Sequence, residues 1–268
     1  MIKQPNIDSN KYKIDKDLLD SSEAPSNCTL SDTEVIKKVS NYINYLESKK
    51  TALQTFRNED YKKEALSISP LWLWKEASEN DLIFFKGLTS FDDRVKTLII
   101  KIFNHENILI SYKRRRFNGR KWVTASKTSP NKTSLKRVVD YSTPIYIVEG
   151  HHDALTATLL GINYISIPTV AYKTLNEHEL QLLTNRNVVF LPDLGDKGKS
   201  IEGMHILADQ ILLITKSVYI ADLNKIAHLG HIKNLPNKMD LSELVELWNQ
   251  GLESFKKHLF EYSKRGEI

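Results

Sequence analysis

From Pro144 to the neighbourhood of Trp248 the sequence alternates short apolar runs with helix-length segments, and no other feature limits its possible folds so strongly. Strands are predicted over residues 145–148, 164–167, 188–191 and 217–221, where Ile, Val, Tyr, Phe and Leu dominate. Helices are predicted between and after them: 153–160 closed by Gly161, 176–183 with Asn176 as its cap, 201–213 and 241–248. Strands that are apolar throughout need cover on both faces, and strands separated by helices pair in parallel. The expected fold class is therefore α/β, a mainly parallel sheet with helices on both faces.

The preceding region has a different pattern. Residues 98–103 and 108–112 read as strands around a turn-like Asn104-His105-Glu106-Asn107, and Asn118-Gly119 marks a second turn before a strand at 121–124. This predicts a small antiparallel sheet within a mixed α+β subdomain. Leu71, Trp72, Leu73 and Trp74 form an apolar knot expected to dock on a core. Further upstream, Ser31-Asp32-Thr33-Glu34 reads as a capping box, and Val35, Val39, Ile43 and Leu46 follow at helical spacing.

The formal net charge of +5 is mild, but its distribution is not. Ten basic side chains and no acidic one lie between Tyr112 and Arg137. A charge run is most often a solvated face. This one is unopposed, which suits phosphate contact, and is interleaved with Tyr112, Phe117 and Trp122, which either stack on bases or pack underneath. The nucleic-acid-binding candidates are Lys113, Arg114, Arg115, Arg116, Arg120, Lys121, Trp122, Lys127 and Lys132. The single cysteine, Cys28, excludes a disulfide framework or cysteine zinc ribbon within one chain. Without an apolar leader or a run near the ~18 residues of a membrane span, a soluble, cytoplasmic protein with no membrane partner is expected.

In open α/β sheets, functional groups gather beyond the carboxyl ends of the strands. Glu149 follows the first strand, Asp193 and Asp196 follow the third, and Asp222 ends the fourth. Converging carboxylates repel unless a cation lies between them, and hard oxygen donors suit Mg²⁺ or Mn²⁺. These four are the candidate metal ligands. Taken singly, any strand-end carboxylate is as readily a helix cap, and Asp240 before Leu-Ser-Glu-Leu also reads as an N-cap. Gly198-Lys199-Ser200 is not a P-loop, since Asp193 stands where that motif needs glycine. His151 and His152 are expected at a turn and on the surface, with possible access to phosphate.

These residues carry a family resemblance. Val148-Glu149-Gly150-His151-His152-Asp153-Ala154-Leu155 resembles the first signature of TOPRIM domains, a strand ending in Glu-Gly with an Asp soon after. Asp193 through Gly198 resembles the second, an Asp-x-Asp run followed by glycine and a helix. Residues 167–175 resemble the loop before the middle helix of primase-type members, and residues 111–131 resemble the basic strands ahead of TOPRIM in bacterial DnaG-type primase cores. The likeness spans roughly residues 66–245. It implies a basic primase-core-like subdomain (66–142) and a TOPRIM domain (143–250), to which composition and helical spacing add a flexible arm (1–30), a helical segment (31–65) and a C-terminal helix or tail (251–268).

The resemblance implies that Glu149 acts as general acid/base or metal-adjacent carboxylate and that Asp193 and Asp196 are catalytic metal ligands. Asp153, Asp240, Lys173 and Lys197 form a second tier. With Asp193 and Gly198 aligned to the family pattern, Gly195 takes the place of the second Asp and Asp196 falls one position late. Either the loop is remodelled to let Asp196 serve, or the site is weakened. The expected activity is a Mg²⁺- or Mn²⁺-dependent primase-like nucleotidyltransferase acting on single-stranded DNA with nucleotides as substrates. Lacking zinc-binding and helicase domains, it would suit a phage or mobile element, with a replicative helicase as a possible partner. The alternatives are a TOPRIM nuclease and a non-catalytic DNA-binding replication accessory module.

Overall fold

A computed structural model describes Glu34, Lys37 and residues 39–44, 59–92, 97–104, 108–115, 122–124, 135–169, 172–195, 198–233 and 235–262. Three helices come first: α1 (Glu59–Leu66), α2 (Leu71–Glu76) and α3 (Glu79–Leu88). An antiparallel sheet follows in the order β1 (Thr89–Asp92), β2 (Thr97–Phe103), β3 (Leu109–Arg115), β4 (Trp122–Thr124). The second sheet is built from β5 (Lys136–Arg137), β6 (Ile145–Glu149), β7 (Asn163–Ile167), β8 (Asn187–Leu191) and β9 (Ser217–Ile220), in the order β5-β7-β6-β8-β9. Its helices are α4 (Gly150–Leu159), α5 (Glu177–Leu183), α6 (Lys199–Ile211), α7 (Leu223–Leu229) and α8 (Leu241–Leu247), and α9 (Leu252–Tyr262) ends the series.

Strands β7, β6, β8 and β9 run parallel, while the two-residue β5 pairs antiparallel with β7 at the edge. The sheet is thus mixed, parallel in four of its five strands. Alternation along β6 divides the core. Tyr146 and Val148 pack with Ala154, Leu155 and Leu159 of α4 and with Leu241, Leu244 and Val245 of α8. Ile145 and Ile147 face the other way, onto Leu183 of α5 and Met204, Leu207 and Ile211 of α6. Helices therefore cover both faces, as two-sided apolar strands require. Asn176 caps α5 in a full capping box with Glu179.

The antiparallel sheet was expected, but β1 was not: Thr-Ser-Phe-Asp has a weak strand signature, and pairing with β2 recruits it. One face of this sheet, through Ile99 and Tyr112, packs on Val39, Tyr42 and Ile43 of the helical residues 39–44. The capping box proposed at Ser31 lies outside the described residues apart from Glu34. The other face, through Leu98 and Ile100, joins the larger core with Phe91 and Leu73. Leu73 is the fully buried member of the apolar knot, with Trp72 and Trp74 partly covered around it.

A buried ion pair ties α3 to the parallel sheet. Asp81 Oδ1 lies 2.6 Å from Arg137 Nη2, and Arg137 Nη1 donates to Thr158 O of α4 at 2.9 Å. Arg137 also lies over the Phe84 ring, 4.8 Å from its centroid. Among the described residues, no helix is long and apolar enough to cross a membrane.

Candidate active site

The carboxyl ends of β6 and β8 open onto a cleft of about 490 Å³. Glu149, Gly150, His151, His152 and Asp193 line it from the parallel sheet, Lys113 from β3, the Leu66–Pro70 stretch from the α1–α2 turn, and Asp240, Ser242, Glu243 and Glu246 from the start and outer face of α8. The cleft therefore lies where the two sheets meet. Gly150 has a φ of +73°, a left-handed turn that lets the chain pass directly from the strand end at Glu149 into α4.

Glu149 and Asp193 sit on neighbouring parallel strand ends, and Ser200 links them. The Ser200 hydroxyl donates to Glu149 Oε2 at 2.7 Å and accepts from the Asp193 backbone N–H at 3.0 Å. Ser200 belongs to the first turn of α6 and is 1 % exposed, so this bridge is set inside the fold. Sequence reasoning missed it. The signal was a small hydroxyl residue at the start of the helix that follows the acidic loop.

Lys113 reaches the cleft because of strand alternation. Its register partner is Ile100, on the core-facing side of the antiparallel sheet, whereas Arg114 is opposite Ile99, on the other side. Lys113 Nζ lies 3.0 Å from His151 Nδ1, and burial pushes its ammonium down to about 8. His151 is only 2 % exposed, which corrects the expectation of a surface turn residue. Burial, and then the Lys113 charge, hold it well below the usual histidine range. The neighbouring His152 is partly buried, with Nε2 2.9 Å from Ile68 O.

The remaining acids divide between the cleft and the framework. Asp222 is the N-cap of α7, accepting from Asn224 N at 3.0 Å, and it does not line the cleft. It stands apart from the cleft that Glu149 and Asp193 line: β9 is the sheet edge, and the helix that follows it takes the carboxylate as a cap. Asp153 is buried and accepts from Leu241 N, Ser242 N and Ser242 Oγ at 3.3, 3.0 and 2.6 Å. It anchors α8 from α4 rather than facing the cleft. Burial, and then the charge of Asp240, hold its carboxyl well above the usual range, with the Ser242 and Leu241 hydrogen bonds pulling the other way. Asp240 lines the cleft and also caps α8 in a capping box with Glu243.

Gly195 explains the departure in the second acidic motif. Its φ is +87°, and an added Cβ would collide with Asn237 O and crowd the Lys238 backbone. The collision arises because Leu194 and Met239 form an antiparallel bridge, with Leu194 N donating to Met239 O at 2.8 Å. No side chain, acidic or otherwise, fits at 195. Asp196 and Lys197 lie outside the described residues, as do Arg116, Arg120, Lys121, Lys127 and Lys132 and the side chains of Arg115 and Trp122. Lys173 is exposed away from the cleft lining. Of the two roles open to Tyr112, stacking on bases or packing underneath, the structure shows packing: it is 7 % exposed and lies on Tyr42 with ring centroids 4.9 Å apart.

Among the described residues, no three His, Cys, Asp or Glu side chains form a metal-holding group. Glu149 and Asp193 nevertheless fit a hard divalent cation in donor chemistry, since Mg²⁺ is commonly held by one or two carboxylates, with water and substrate phosphate completing its shell.

No protein-family model matches the chain, and no curated protein matches its sequence. Solved structures do. The zinc-binding and RNA polymerase domains of the Aquifex aeolicus primase match at 15 % identity and a TM-score of 0.53, over 90 % of this chain and 63 % of that one. A DnaG primase catalytic domain bound to ssDNA matches at 15 % identity and a TM-score of 0.48, over 86 % of this chain and 82 % of that one. The RNA polymerase domain of the Mycobacterium tuberculosis primase DnaG, in complex with double-stranded DNA, matches at 12 % identity and 0.44, over 85 % and 80 %. The α/β fold of this chain is similar to that of the Aquifex aeolicus primase domains.

Proposed function

We propose that the chain is a metal-dependent, primase-like nucleotidyltransferase of TOPRIM type that acts on single-stranded DNA. The observation that carries this reading is the presence of Glu149 and Asp193, beyond two adjacent parallel strand ends, in one cleft that Lys113 also lines. Glu149 and Asp193 would hold Mg²⁺ or Mn²⁺. Such an ion binds phosphate oxygens and offsets the charge that develops in phosphoryl transfer. Ser200 fixes the Glu149 carboxylate and the Asp193 backbone relative to each other. Lys113, reaching the cleft from the other sheet, supplies positive charge to a nucleotide or strand phosphate. A place in the cytoplasm, a replicative helicase as partner and service in phage or mobile-element replication accompany this reading.

The second reading, a non-catalytic DNA-binding replication module, is favoured by one observation: position 195 cannot carry the second acid of the TOPRIM pattern. The test is incubation of the protein with labelled nucleotides, single-stranded DNA and Mg²⁺ or Mn²⁺. Short new strands that vanish with Glu149→Gln and with Asp193→Ala support the primase. Shortening of the DNA instead supports a nuclease. DNA binding without any reaction leaves the accessory module.

A further inference from the structure

The cleft holds a hydrogen-bond donor that the acidic motifs do not account for. Lys113 Nζ contacts His151 Nδ1 at 3.0 Å. A lysine ammonium has only hydrogens to offer, so Nδ1 must accept, and the single proton of the neutral ring is on Nε2. His151 Nε2 is buried and has no hydrogen-bond partner among the described residues. Buried donors almost always find an acceptor. His151 lines the cleft beside Glu149, and Lys113 lines it as well.

We propose that His151 Nε2–H and the Lys113 ammonium together form a phosphate-oxygen site in this cleft, in which Lys113 both contributes charge and fixes the ring tautomer that makes His151 a donor. The pairing joins the two sheets: Lys113 comes from β3, and His151 from the first turn of α4 next to Glu149. An oxygen bound there lies against the carboxylate that the proposed reaction uses. The neutral imidazole adds a donor without adding charge, and the ammonium offsets part of the negative potential of Glu149 and Asp193. The phosphate can belong to an incoming nucleotide or to a strand backbone, since both present the same non-bridging oxygens.

This inference rests on the phosphoryl-transfer reading, and its test is separable from activity. Binding of pyrophosphate and of a single-stranded thymidine oligonucleotide would be measured by calorimetry, with Mg²⁺ and again in chelator, for the wild type, His151→Phe and His151→Gln. Loss of a hydrogen bond to a charged group should weaken binding about tenfold or more in His151→Phe, with partial rescue by His151→Gln, which keeps an N–H. A loss confined to pyrophosphate assigns the site to the nucleotide, and a loss confined to the oligonucleotide assigns it to the strand. Affinity for both ligands unchanged in every condition overturns the proposal. So does a ¹⁵N imidazole spectrum of the wild type with the His151 proton on Nδ1, a readout that does not depend on the variant folding. If the wild type synthesises no product yet loses pyrophosphate binding on His151→Phe, the activity reading fails while the site stands.

Discussion

The two sheets contribute to one cleft by different geometric rules. In the parallel sheet, chemistry is gathered at strand ends: Glu149 and Asp193 arrive because β6 and β8 end side by side, Val148 opposite Leu191, with one acid just at or beyond each end. In the antiparallel sheet, chemistry is sorted along the strand: Lys113 and Arg114 are neighbours in sequence but project to opposite faces. An acidic motif in the first setting therefore acts as a group, whereas a basic run in the second is divided by the pleat. Of the basic residues proposed for nucleic-acid contact, Lys113 is the one whose described side chain lines the cleft.

The largest effect expected is on the joint between α3 and the parallel sheet. Asp81→Ala leaves Arg137 buried without its carboxylate partner, and breaking a buried pair in this way costs about 3–5 kcal/mol. Thermal or denaturant unfolding checks this. A fall of a few tenths would mean that the joint is not held by that pair. Next comes Gly195→Asp, which puts an acid where the TOPRIM pattern has one but places a side chain at φ +87° against Asn237 O. Backbone strain and the clash predict a loss of about 2 kcal/mol or more and no gain in activity. Higher activity at unchanged stability would contradict the packing of this loop.

A smaller effect concerns Lys113 and pH. Because burial brings its ammonium down to about 8, phosphate binding that depends on it should weaken as pH rises through that value. The folding contribution has the opposite sign. The unfolded chain keeps this proton to the ordinary lysine range, so stability from this group rises with pH above about 8. Lys113→Arg, charged throughout, should flatten the pH dependence of oligonucleotide binding. A profile identical to wild type would locate the titration elsewhere. The smallest effect belongs to Arg114→Ala: pointing away from the cleft, it should leave nucleotide incorporation within about twofold while Lys113→Ala lowers it further, as a phosphate contact requires. Equal losses would show that the pleat does not sort these two residues.

The parallel sheet was legible because its strands are apolar on both faces and its helices are punctuated by caps such as Asn176 and by Gly161. Glu149 and Asp193 were legible for the same reason, since they follow those strands directly. Asp222 is ambiguous in the sequence because a strand-end acid and a helix N-cap share one signature, and α7 was unforeseen. Strand β5 is only two residues long and exists through pairing with β7, so no local pattern announces it. Ser200, Lys113 with His151, and the anchoring of α8 by Asp153 are tertiary contacts between residues 38 to 89 positions apart, beyond the reach of any periodicity.

In the proposed metal centre the ligands are the acids of β6 and β8, and not that of β9. Manganese binding followed by electron paramagnetic resonance in the wild type, Glu149→Gln, Asp193→Ala and Asp222→Asn tests it most directly. Asn keeps the cap of α7, so the last variant should bind Mn²⁺ as the wild type does, while the first two should lose the bound signal. Loss of Mn²⁺ on Asp222→Asn with retention on Asp193→Ala would contradict the account.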